Sequence, residues 1–125
     1  MGQLIVGMTG QLVAAMSGVP YVMQNNTTTG NGDTIAVPPS FRNHTFIITG
    51  AAGISAGSIQ CETSNNPLDS NLWAPIASAV TPLAGDDLLV EVVGLFNFLR
   101  ARIATPISGG GAPGVTVTYT GAKSY

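Results

Sequence analysis

Few side chains in this sequence could exchange protons, attack a substrate or hold a metal, because the 125 residues include one histidine, one cysteine, four Lys or Arg and six Asp or Glu. A nucleophilic triad needs a serine on a strained elbow, a histidine within its reach and an acid behind it. His44 with Asp33 or Asp69 could supply two of those parts, but no serine stands in such an elbow. We expect His44 at a strand edge or in a loop, without a catalytic role; a hydrolase would need a pocket joining it to a carboxylate. Asp33, Glu62, Asp69, Asp86, Asp87 and Glu91 show neither the paired placement that glycoside hydrolysis requires nor a regular calcium-ligand spacing, and "GDD" at 85–87 reads as a solvated turn. Lone Cys61 excludes an intrachain disulfide and a multi-cysteine zinc site, and reads as a small buried hydrophobe. The glycines at 109–111 lack the Lys, the Ser or Thr and the helix that follow a phosphate loop; Ala112, Pro113 and another strand come next. No catalytic residue, metal or cofactor is expected.

Arg100 and Arg102 are half of the basic residues and stand two apart in "FLRARIAT". A strand has period two, so both occupy one face. They could form bidentate pairs with Glu62 or Glu91, across the sheet or between subunits, or they could be the solvated face of a strand whose other face is core. Trp73 reads as core or inter-sheet filler; a sugar platform would need its ring exposed. Asn25, Asn26 and Asn43 match glycosylation acceptors, which matter only in a secreted eukaryotic protein.

The elements that must position these residues are strands. Thr34 to Val37 is a short one, stopped by Pro38 and Pro39. "HTFIITG" sets Phe46 and Ile48 against Thr45, Ile47 and Thr49, and "GSIQCETS" sets Ile59 and Cys61 against Gln60 and Glu62. These two are expected to pair across "GAAGISAG". Leu72, Trp73 and Ile76 bring the chain back into the core. "LLVEVVGLFNFLRARIAT" is long for one strand and should bend or split at Gly94 and Asn97, after which Leu99 and Ile103 point inward with Ala101. In "GVTVTYTG", Val115, Val117 and Tyr119 point inward and the threonines outward. These alternations predict an all-β fold, an antiparallel β-sandwich or small jelly-roll-like barrel, over residues 34–125. Residues 1–33 read as an N-terminal arm and polar linker, with an extended arm preferred to a helix because Gly2, Gly7, Gly10 and Gly18 interrupt the helical pattern.

Charged residues make up 8% of the chain and hydrophobic ones 45%, with a mean hydropathy of +0.35. A surface this poor in charge suits a body that lies against other subunits, although a compact monomer with an uncharged polar coat is the plainer alternative. A net charge of −2 gives no positive field for nucleic acid. The N-terminal segment lacks the basic start of a secretory signal, and no apolar run of membrane-spanning length occurs.

The texture of "FIITGAAGISAGSIQCETSNN", "LW", "FNFLRARIATPISGGG" and "VTVTYTG" resembles a β-sandwich family of small structural proteins of tailed bacteriophages, over residues 41–121. That resemblance implies a non-enzymatic virion protein, made in the host cytoplasm and carried on the particle surface, most simply a capsid decoration (cement) protein binding the major capsid protein. It further implies a homo-oligomer, often a trimer, with no nucleic-acid or membrane partner. A tail or baseplate adaptor and a carbohydrate-binding module are the alternatives. On this reading Leu4, Ile5, Met8 and Leu12 of the arm, Phe41, Arg100 and Arg102 form contacts, while Phe46, Ile48, Ile59, Cys61, Trp73, Leu99, Ile103, Val115, Val117 and Tyr119 form the core.

Overall fold

The computed structural model describes residues 12–51, 53–82, 87–109 and 114–123. Among them are strands β1 (Leu12–Ala14), β2 (Tyr21–Thr27), β3 (Thr34–Ala36), β4 (Phe41–Gly50), β5 (Ile54–Ser64), β6 (Ala74–Pro75), β7 (Asp87–Val93), β8 (Phe98–Gly109) and β9 (Val115–Lys123). One sheet runs β1-β3-β8-β5-β6 and the other β2-β9-β4-β7. Among the described residues only β1 and β3 pair in parallel. The fold is all-β, two sheets in a β-sandwich-like arrangement.

Alternation builds the core. Phe46 and Ile48 on β4 meet Val115, Val117 and Tyr119 on β9, while Ile59 and Cys61 on β5 lie beside Leu99, Ala101 and Ile103 on β8, and all are buried in one cluster. Each sheet thus turns one apolar face inward. At about 25 cal/mol per Å² of apolar surface removed from water, this shared layer is the main stabilising contribution.

β4 and β5 do not pair. β4 lies between β7 and β9, and β5 between β8 and β6, so the chain changes sheet between the end of β4 and the start of β5. A hairpin would set Phe46 and Ile48 beside Ile59 and Cys61 in one sheet; the crossover puts the two sets on different sheets, and all four residues are buried. The long run after residue 87 splits for the same reason. β7 belongs to the four-stranded sheet and β8 to the five-stranded one, with Gly94–Asn97 as the crossing.

The sandwich also reaches further toward the N-terminus than residue 34. β1 and β2 each join a sheet, and Met23 and Gln24 on β2 are buried. Gly2, Gly7 and Gly10, like Leu4, Ile5 and Met8, lie outside the described residues. Leu72 does not enter the core: it is 53% exposed beside the 3-10 turn Ser70–Leu72, whereas Ile76 packs against the core.

Candidate functional site

β8 places Arg100 directly opposite Glu62 of β5, and Arg102 opposite Gln60. Arg100 Nε donates to Glu62 Oε1 at 2.8 Å, and Arg102 Nε donates to Oε1 and Oε2 at 3.1 and 3.2 Å. The Arg100 guanidinium lies 4.0 Å from the centre of the Trp73 ring. One carboxylate therefore sits between two cations, with Arg100 and Glu62 buried and Arg102 partly open. Burial pulls the Arg100 pKa down, and the Glu62 partner opposes that shift. Removing either partner of this buried pair would strand the other as an uncompensated charge. Trp73 is half-buried cover for this ion cluster rather than core.

His44 is not an edge or loop residue. It shares the inward parity of Phe46 and Ile48, and it is 1% exposed between β7 and β9. Its Nε2 lies 2.8 Å from the Gly94 carbonyl, which can only accept, so Nε2 carries the proton. Nδ1 is then the acceptor for the Tyr119 hydroxyl, also at 2.8 Å. Phe96 packs edge-on against the ring at 5.1 Å. Burial lowers the His44 pKa despite the Gly94 contact and raises that of Tyr119 beyond its ordinary range. Both ring nitrogens are engaged without a carboxylate, so the His–carboxylate pair of a hydrolase is not assembled here. What His44 does is pin the start of the β7-to-β8 crossing.

Cys61 is buried, and burial together with Glu62 pushes its thiol up to about 12, which leaves it un-ionised. Phe41, expected at a contact, is instead 3% exposed in the core. Leu12 is 41% exposed on β1. Among the described residues no group of three or more His, Cys, Asp or Glu converges as metal ligands do.

The two edges of the four-stranded sheet differ. β2 is interrupted by register shifts, carries Asn26 at φ 53°, and is tied to β8. Gln24 Nε2 donates to the Ala101 and Gly30 carbonyls at 2.9 and 3.1 Å, and Gly30 and Thr28 accept from Ile103 N and Ile107 N at 3.0 and 2.9 Å. β7, by contrast, pairs with β4 through seven consecutive residues without a shift, and among the described residues no hydrogen bond reaches its far edge. Its exposed residues alternate in character: Leu89 at 58% and Val93 at 77% are aliphatic, beside Ile47 on β4 at 42%, and the carboxylates Asp87 and Glu91 alternate with them.

The sequence reading singled out the arginines and passed over this face. In "LLVEVV" both parities are apolar apart from Glu91, the pattern of a strand covered on both faces, so the sequence does not mark β7 as an edge. Comparisons with family models, curated proteins and solved structures found no match.

Proposed function

We propose that the protein is a non-enzymatic structural subunit that works by docking on neighbouring proteins, and that its specific role is decoration of a tailed-phage capsid through the major capsid protein. The observation that supports this is the exposure of Ile47, Leu89 and Val93 on the outer face of β4 and β7, interrupted by Glu91, on a body with 8% charged residues. Large exposed aliphatics of this kind gain when covered, and a specific contact of ordinary size buries about 800 Å² per partner. A protein that binds the closed shell and not its free parts stabilises the shell by mass action.

A carbohydrate-binding role would need an open face of the half-buried Trp73 ring opposite the one that the Arg100 guanidinium takes. The test is deletion of the coding sequence from a phage that carries it. Particles without the protein are expected to release DNA at lower temperature, and to recover when purified protein is added. Particles equally robust without it would overturn the decoration role, and a copy number matching the tail rather than the head lattice would favour the adaptor.

A further inference from the structure

We propose that β7 pairs antiparallel with β7 of a second copy, Val90 facing Val90 across a two-fold axis, so that two four-stranded sheets become one of eight strands. The proposal rests on reading the β7 face as an interface and names the chain itself as the partner at that edge.

Backbone geometry sets the terms. Gly94 N donates to Arg42 O at 2.9 Å, and the same ladder runs back through β7. Alternate residues of an antiparallel strand bond to the same neighbour, so Leu88, Val90 and Val92 direct their N–H and C=O groups toward β4. Asp87, Leu89, Glu91 and Val93 direct theirs outward. That is a row of donors and acceptors ready for another strand.

Soluble proteins blunt such edges with proline, lysine, bulges or very short strands. β7 is seven residues long, unshifted against β4, and free of proline and lysine; its charge is limited to the exposed carboxylates Asp87 and Glu91. Its inward residues Leu88, Val90 and Val92 are only half-buried, as expected of a strand with no neighbour among the described residues on that side.

Charge selects the register. With Val90 on the axis, Asp87 faces Val93 of the second copy and Leu89 faces Glu91, so every carboxylate meets an aliphatic side chain. Moving the axis to Leu89 sets Asp87 against Glu91, and moving it to Glu91 sets that carboxylate against itself; like charges directly opposed are destabilising. The Val90 register also keeps the full overlap. A strand edge about 24 Å long and about 10 Å thick presents a section of about 240 Å². This is well below a standard interface, so the dimer should be concentration-dependent.

Val90→Cys in the full chain tests the pairing. In this register the two Val90 residues form a non-hydrogen-bonded pair with Cα atoms about 4.5 Å apart, within disulfide range. Mild oxidation at high protein concentration is expected to give a covalent dimer for Val90→Cys and little or none for Leu89→Cys or Glu91→Cys alone, with buried Cys61 unreactive. Light scattering on the unmodified chain and on Leu89→Lys gives an independent reading: the mass should double with concentration in the first and stay monomeric in the second. A wild-type monomer at every concentration, or self-crosslinking strongest at Leu89→Cys or Glu91→Cys, overturns the proposal. A monomer that still stabilises phage particles overturns the pairing while the decoration role stands; a crosslinked dimer that leaves particles unaffected does the reverse.

Discussion

The two edges of the four-stranded sheet meet the same physical problem in opposite ways. At β2 the chain bends, and Gln24 with residues 28–30 satisfies the backbone of β8, so that flank of the sandwich is closed from within. At β7 the strand stays regular and its outward backbone groups meet no described residue. A closed flank contributes stability to one chain. An open one offers its hydrogen bonds to another.

If that contrast holds, substitutions on the closed side should lower stability without changing mass, and those on the open side should do the opposite. The largest loss is expected away from both edges, for Glu62→Ala on β5 of the other sheet, which leaves Arg100 and Arg102 without their shared carboxylate; denaturant unfolding should show about 3–5 kcal/mol. Gly32→Ala comes next. Gly32 has φ 68°, and an added Cβ would lie 2.6 Å from Gln24 Nε2 and 2.7 Å from the Met23 carbonyl, so both backbone strain and the Gln24 bridge to β8 are affected. A loss of about 2–3 kcal/mol at unchanged mass is expected.

His44 gives a smaller effect, read by pH. Its folded pKa is lowered, so below about 6.5 the unfolded chain takes up a proton that the folded chain resists, and stability falls as the pH drops through that range. His44→Gln should flatten the slope in thermal melts between pH 7 and pH 5. The smallest change in stability, within about 0.5 kcal/mol, is expected for Leu89→Lys, an exposed position on the open edge. Its effect should appear in the mass.

Alternation made the sandwich legible. The apolar and threonine positions of β4 and β9 read directly as inner and outer faces, and period two put Arg100 and Arg102 on one side, opposite Glu62 as one of two options. Which strands share a sheet was not legible. The hydrophobic pattern of β4 and β5 is the same whether they lie side by side or face to face, and only the competition of β7, β8 and β9 for their edges decides. His44 was misplaced because its type outweighed its parity: two residues before Phe46, it faces inward, and Tyr119 and Gly94 satisfy it there. Phe41, expected at a contact, lies in the core, its ring against the face where Gly121 leaves room.

The most direct test of the contrast is amide hydrogen exchange along β7 as a function of protein concentration. The amides of Leu88, Val90 and Val92, bonded to β4, should be protected throughout. Those of Leu89 and Glu91 should be protected only at high concentration and become fast on dilution, while the amides of Ile103 and Ile107, held by the closed flank, remain slow at every concentration. Fast exchange at Leu89 and Glu91 at all concentrations would contradict self-pairing. Equal protection of both flanks in the dilute monomer would contradict the open edge itself.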